Sequence, residues 1–324
     1  MTTINQEIIK QLHTQEGYIS GENLSKRLGV SRNAIWKQIE ALRSLGYEIE
    51  ATPRLGYRLV STPNQLTPGE MRLNLHTQFI GQEIVTPTTV SSTNDVAKDM
   101  VKKGAAEGLT VVAQVQTQGR GRRGREWYSG EGGLYLSIYL KPNLPPQEAS
   151  KLTLLAAIVM IEVLRNDYHI AAEIKWPNDI FVGTKKICGI LTELRADPEA
   201  IHYLILGIGL NVNQTAKDWP EQVQEIATSM QLETGKEVNL KAVFVRVLET
   251  VEKQYLRLQN GMLTDLIANV KANSCLLGKE VKILTKAGES YGKAVDILDD
   301  GSLVIKRSTG QLEKLWAADV SVRL

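Results

Sequence analysis

Cysteine is scarce in this chain of 324 residues: Cys188 and Cys275 are the two, far apart and in no Cys-x-x-Cys or metal-spaced set. That excludes a disulfide framework and a cysteine-built zinc site, and four histidines offer little help to either. A free buried thiol is expected for each, which suits a reducing cytoplasm. Long apolar runs are missing too. The most apolar stretch, Leu152 to Leu164, is broken by Thr153 and Glu162, so it reads as a core helix and no membrane contact is expected. The start, Met1 to Glu7, lacks the charged and apolar regions of a signal peptide. Nor is there a large excess of one charge. The net charge is +2, so any contact with nucleic acid or another anion must be local. The phosphate-cradling Gly-Lys-Ser/Thr is absent.

What is present is concentrated in one run, Gln118-Gly119-Arg120-Gly121-Arg122-Arg123-Gly124-Arg125-Glu126-Trp127, which follows a β-like stretch from Thr110 to Thr117. Like charges at ~4 Å repel by about 1 kcal/mol in water, so four guanidiniums should hold this loop open until an anion neutralises them. Glycine lets the backbone approach that anion, and arginine offers forked donors matched to phosphate or carboxylate. A solvated basic loop is the plain alternative. The run also spells Gly-x-Gly-x-x-Gly, but turn chemistry follows it, and then a strand from Leu134 to Leu140. A dinucleotide site would need a helix there.

Three regions are expected, giving a multidomain α+β chain with boundaries at 1–62, 66–272 and 275–324. In the first, Ile4, Ile8, Ile9 and Leu12 share a helical face. Ser20 caps a short helix, Gly29-Val30-Ser31 makes a turn, and Ser31 caps a second helix that buries Ile35, Ile39, Leu42 and Leu45. A hairpin around Thr52 to Gly56 would be a wing. This is a winged helix-turn-helix, about Gly21 to Glu40, with Ser31, Arg32, Asn33, Trp36 and Lys37 on the groove-reading turn and Arg54 on the wing. A protein-docking domain of the same shape is the alternative. Ser61 to Pro68 reads as a linker. The central region alternates strands (Val85 to Val90, Val111 to Thr117, Leu134 to Leu140, Lys186 to Leu194, Ile201 to Val212) with helices (Asn94 to Lys103, Gln147 to Asp167, Asn239 to Asn260), an α+β domain around a mixed sheet. Short strands at Glu280 to Leu284, Ser290 to Ile297, Leu303 to Lys306 and Leu312 to Trp316 form a small all-β module.

Further segments carry chemistry. Ser91-Ser92-Thr93-Asn94-Asp95 ends a strand and starts a helix, so its hydroxyls are either caps or ligand donors. Lys175-Trp176-Pro177-Asn178-Asp179 sets a cation, an indole, an amide and a carboxylate at a strand-to-turn break, where a plain turn is the alternative. Lys185 and Lys186 lead into a buried strand, as its solvated end or as a cation aimed into a pocket. Leu206 to Asn213 is a strand with Gly207 and Gly209, residues tolerated there where something must approach closely.

Taken in order, Ser-Ser-Thr-Asn, Gly-Arg-Gly-Arg-Arg-Gly-Arg-x-Trp, Lys-Trp-Pro-Asn-Asp, Lys-x-x-Gly-Ile-Leu and Gly-x-Gly-x-Asn resemble the bifunctional biotin–protein ligases that also repress biotin operons, across all three regions. The resemblance implies a class II synthetase-like ligase domain and an SH3-like β-barrel at the C-terminus. It implies a reaction of biotin with ATP to give biotinyl-5′-AMP and pyrophosphate, then transfer to a lysine of biotin carboxyl carrier protein. The acceptor would belong to acetyl-CoA carboxylase, with pyruvate carboxylase as a further candidate. Mg²⁺ is implied by the ATP chemistry and by no carboxylate cluster; no protein metal site is expected. By motif, Ser92, Thr93, Asn94 and Gln116 would bind biotin's ureido head, and Gly207 would let the backbone meet it. Gly119, Arg120, Gly121 and Arg122 would close over biotin. Arg120, Arg122, Arg123, Arg125, Trp127, Asn178 and Asn211 would face the adenylate. Lys186, Arg122 and Asp179 would be catalytic, Lys186 at the carboxylate and α-phosphate and Asp179 toward the acceptor lysine. Trp219 would cover adenine or be an ordinary loop residue. An adenylate-bound homodimer would bind operator DNA. Where the family often has Ser-Pro after its tryptophan, Ser129-Gly130-Glu131-Gly132 stands here, and a looser loop exit is expected. A lipoate ligase, a catalytically dead ligand sensor and an RNA-binding protein are the rival readings.

Overall fold

A computed structural model describes residues 3–15, 17–62, 67–285, 288–316 and 319–322. The chain divides into two compact units, Met1–Asn74 and Leu75–Leu324.

The first unit is built on helix caps. Ser20 accepts the Asn23 amide at 3.1 Å to start α2 (Gly21–Leu28), which follows α1 (Thr3–Thr14). Gly29 ends α2 in a left-handed turn, φ 64°. Ser31 then accepts the Ala34 amide at 3.2 Å and starts α3 (Arg32–Ser44). Ile8, Ile9, Leu12, Leu24, Ile35, Ile39 and Leu42 pack into one core. Leu45, expected in that core, is exposed because α3 has ended there. The wing is the antiparallel hairpin of β1 (Glu48–Thr52) and β2 (Gly56–Ser61). Tyr57 on β2 also pairs with Ile19. Gly56 is obligatory there: its φ is 110° and a Cβ would lie 2.1 Å from the Ile19 carbonyl oxygen. The expected linker falls partly outside the described residues, at 63–66. Its end is helical, with Thr67 capping α4 (Pro68–Leu73), and α4 belongs to the first unit although the sequence reading opened the central domain at 66.

In the second unit, β3 (Ile84–Val85) and β5 (Thr110–Ala113) are parallel neighbours at one edge of a seven-stranded sheet. From β5 the order continues through β7 (Gly133–Leu140), β11 (Ile201–Asn211), β10 (Lys185–Ala196), β9 (Asp179–Val182) and β8 (Ala172–Lys175), all antiparallel. The mixed sheet is therefore as expected. The strand read over Val85 to Val90 is broken in two. Its second piece, β4 (Thr89–Val90), pairs with β6 (Val115–Gln116) and brings Gln116 to the start of α5 (Thr93–Lys102). Ala97 of α5 packs on Val111, Tyr139 and Ile205 of the sheet. Helix α6 (Ala149–Glu162), apolar all round, is core, and its last turn over Val163–Asp167 widens to π geometry. Short helices α7 (Glu221–Gln224) and α8 (Met230–Thr234) precede α9 (Leu240–Gln259) and α10 (Leu266–Ala272). Among the described residues no helix is long and apolar enough to cross a membrane.

The C-terminal module is a five-stranded antiparallel sheet in the order β15 (Leu312–Leu315), β14 (Leu303–Lys306), β13 (Gly288–Ile297), β12 (Glu280–Thr285), β16 (Asp319–Val322). It is fastened to the central α+β core by Trp176, whose Nε1 donates to the Gly301 carbonyl at 2.8 Å, by Ser150 Oγ donating to Asp300 O at 2.8 Å, and by the Lys271–Asp296 pair. Both cysteines are free and buried; burial pushes both thiols up, Cys275 to about 11.

Candidate functional site

A cavity of about 470 Å³ opens on the face of the central sheet that carries Gly207 and Gly209. Its floor is a row of hydrogen-bonded polar groups. Gln116 Oε1 accepts the Thr93 amide at 2.8 Å and the Thr93 hydroxyl at 3.1 Å. Ser137, the polar residue in the otherwise apolar β7, donates to Asn94 Oδ1 at 2.6 Å and lies 2.7 Å from the Thr93 hydroxyl. Asn94 Nδ2 donates to Glu193 at 2.6 Å, and Glu193 also binds Lys98 at 2.6 Å. Asn94 is thus oriented from both ends. Ser92 is the N-cap residue of α5, yet its buried side chain makes no cap bond and lines the cavity.

The two strand glycines make room for side chains. A Cβ on Gly207 would lie 2.5 Å from Asn94 Oδ1. Gly209 and its cross-strand partner Gly189 form a trough that holds the Trp127 indole: added Cβ atoms would meet Trp127 Nε1 at 2.5 Å and Cζ3 at 3.2 Å. Trp127 Nε1 is buried with no hydrogen-bond partner among the described residues. Lys186 Nζ stands 4.9 Å from that ring and 2.7 Å from Asp179 Oδ1, an ion contact in which Oδ1 completes no hydrogen bond. Gly207 itself lines the cavity, with the Asn94 amide packed against it.

The arginine loop is closed, not splayed. Its guanidiniums disperse to separate partners, which relieves the repulsion expected from sequence. Arg120 grips Asp95 through two bonds, 2.7 and 2.5 Å. Hydrogen bonding to Arg120 holds the Asp95 carboxyl below the usual range and raises Arg120 in turn. Arg122 donates to Asn178 Oδ1 at 3.1 Å, while Asn178 Nδ2 donates to Ile190 O at 2.8 Å. Arg123, at φ 59°, reaches the Leu284 carbonyl of the C-terminal module at 3.2 Å. Gly121 and Arg125 line the cavity, whereas Gly119 and Arg123 stand outside its lining. Gly119 is instead where the two limbs of the loop meet: a Cβ would lie 2.3 Å from Trp127 O. At the exit, Ser129 is buried, accepts from Gln116 at 2.9 Å and donates to Trp127 O at 3.0 Å, a tie that replaces the looser exit expected. Asn211 is buried, lines the cavity and donates to Thr228 O at 2.9 Å. Trp219 is 4% exposed and lines it as well.

Sequence reasoning gave no role to Asp95, Lys98, Ser137, Glu193 or Lys175. A serine inside an apolar strand was a legible cue for Ser137. Trp176, quoted in the same motif as Asn178, serves the module contact. Among the described residues no three His, Cys, Asp or Glu side chains stand together as a metal group.

On the first unit, Ser31, Arg32, Asn33, Trp36 and Lys37 are all exposed along the first turns of α3, with Trp36 53% open, and Arg54 is exposed on the wing.

Residues 86–211 match the biotin/lipoate A/B protein ligase family, residues 5–58 a helix-turn-helix domain and residues 276–323 the C-terminal domain of biotin protein ligases. The bifunctional ligase/repressor BirA of Bacillus subtilis is 38% identical over 324 residues, 99% of each chain. This chain belongs to the biotin protein ligase family. The BirA of Escherichia coli is 30% identical over 94% of this ligase-family chain and 92% of its own. The biotin protein ligase of Aquifex aeolicus, solved in complex with biotin and ATP, matches 75% of this chain and 99% of its own at TM-score 0.64 and 31% identity.

Proposed function

We propose that this protein activates biotin with ATP to biotinyl-5′-AMP, releases pyrophosphate, and transfers the biotinyl group to a lysine of biotin carboxyl carrier protein. It also acts as a repressor of biotin genes. The observation that carries the reading is the meeting, in one cavity, of a polar floor, an arginine loop and the Lys186–Asp179 pair. Two anions, a carboxylate and a triphosphate, must be brought together, and fixed cations do that at no reorganisation cost during reaction. Thr93, Asn94 and Gln116 hydrogen-bond the ureido head, with Ser92 beside them. Arg120, Gly121 and Arg122 enclose the ligand, with Gly119 joining the limbs of their loop; Arg123 and Arg125 add positive potential. Lys186 neutralises the carboxylate and α-phosphate. Asp179, released from Lys186, receives the proton of the acceptor lysine. Asn178, Asn211, Trp127 and Trp219 surround the adenosine. Mg²⁺ comes with the nucleotide.

The helix-turn-helix face binds operator DNA through Ser31, Arg32, Asn33, Trp36 and Lys37. The adenylate-bound protein dimerises, which sets two recognition helices on a palindrome. Its domains are assigned as 1–74, 75–272 and 275–324, and its setting is the cytoplasm, consistent with two free thiols. The test is ATP–pyrophosphate exchange, with biotin and lipoate supplied separately. Biotin-dependent exchange that Lys186→Ala and Arg122→Ala each reduce by about 100-fold supports the reading; exchange with lipoate alone overturns it.

A further inference from the structure

We infer that Lys175 holds the β- and γ-phosphates of ATP, and the pyrophosphate they become, as a further cation of the pocket. The inference rests on the ligase reading of that cavity. Strand β8 buries Ala172 and Ile174 and turns Glu173 and Lys175 to the opposite face. Across the sheet Lys175 pairs with Asp179, and Asp179 with Gly189, so Lys175 shares a row with the Asp179–Lys186 contact and the glycine trough. Its side chain lines the cavity, with Nζ 4.5 Å from the centre of the Phe181 ring.

Among the described residues no carboxylate lies within ion-pair distance of Lys175. Asp179 is held by Lys186 and Asp95 by Arg120. A half-buried ammonium facing an aromatic ring recovers part of its lost hydration from that ring, and a counter-ion would recover far more. Burial first, and then the charges of Lys186 and Arg125, hold this ammonium below the ordinary lysine range, against the opposing pull of Asp179. The row therefore carries one more cation than it has acids to match, which is complementary to an arriving polyanion.

The chemistry needs a cation there. A carboxylate oxygen of biotin bonds to the α-phosphorus while the α–β bridging P–O bond breaks. The electron pair stays on the bridging oxygen, which leaves in pyrophosphate. Charge thus grows on the β-phosphate, beyond the side that Lys186 serves, and Lys175 donates to it without transferring a proton.

The experiment separates the two half-reactions of the full-length protein. Lys175→Met keeps the apolar stem and removes the charge. Biotin-dependent exchange is expected to fall by about 100-fold, with KM for both ATP and pyrophosphate raised about ten-fold. Transfer from added biotinyl-5′-AMP to carrier protein should fall at least ten-fold less than exchange does, and Lys175→Arg should restore most of the exchange. Equal losses in both half-reactions, or an unaltered KM for pyrophosphate, overturn the assignment. So does biotin found covalently on Lys175 in the wild type with ATP kinetics untouched by substitution, which would make it an acyl acceptor. If thermal melting shows that Lys175→Met does not fold, Lys175→Gln is read by the same criteria. A wild type without any biotin-dependent exchange defeats the ligase reading instead, and the two failures are told apart by that control.

Discussion

A guanidinium that meets a carboxylate through two hydrogen bonds is fixed in plane as well as in position. Arg120 on Asp95 is such a contact, and it ties the arginine loop to α5. Because Arg120 lowers the folded-state pKa of Asp95, this tie is at full strength above the ordinary aspartate range and is lost as pH falls through the depressed value. Protease nicking at the loop should therefore stay constant from pH 8 to 5 and rise only below about 4. Asp95→Asn should raise nicking several-fold at neutral pH. Equal nicking of variant and wild type would show that the loop is held elsewhere. Gly207→Ala tests the floor: its methyl would push Asn94 off Ser137 and Glu193. The expected result is a KM for biotin raised about ten-fold or more, the equivalent of about 1.4 kcal/mol. An unchanged KM would free Asn94 of any part in biotin binding.

At the level of elements, caps decide the first unit. Ser31 both starts α3 and is exposed on the face proposed to meet DNA. Lys37, one turn further along, is exposed and suited to a phosphate. Lys37→Ala should weaken operator binding on all sequences alike and reduce the salt slope by about 1; an unchanged slope would remove Lys37 from the interface. These features were legible because capping and helical spacing are local: Ser20, Gly29 and Ser31 declare their roles within four residues. The polar floor was legible for the same reason, since Ser92, Thr93 and Asn94 sit together at a helix start. The trough was not. That Gly189 faces Gly209 depends on the register of β10 on β11, which the sequence does not state. Asp95 was passed over because an acid in the first turn of a helix is ordinary there for reasons of the dipole alone. The broken strand over 84–90 was unreadable too, because its second half pairs with a different partner.

For the molecule as a whole, the junction with the C-terminal module matters most. The indole N–H of Trp176 ends on the buried carbonyl of Gly301. Trp176→Phe keeps the ring and abandons that carbonyl, at a cost of about 1–3 kcal/mol. A lower melting temperature is expected, together with faster proteolytic release of the module. Since Arg123 reaches Leu284 in the same module, loosening it should also slow adenylation. Faster release with adenylation unaffected would sever that link.

Trp127 carries one further consequence. Its indole lies in a glycine trough with an ammonium beside the ring and, among the described residues, no partner for its N–H. Such an environment makes the chromophore a built-in optical gauge of what occupies the cavity. Trp36 and Trp316 are exposed and Trp176 is engaged at the module junction, so removing the two surface indoles lowers the background without disturbing the cavity. Emission from the remaining set would then follow ligand arrival and departure in real time, on unlabelled protein.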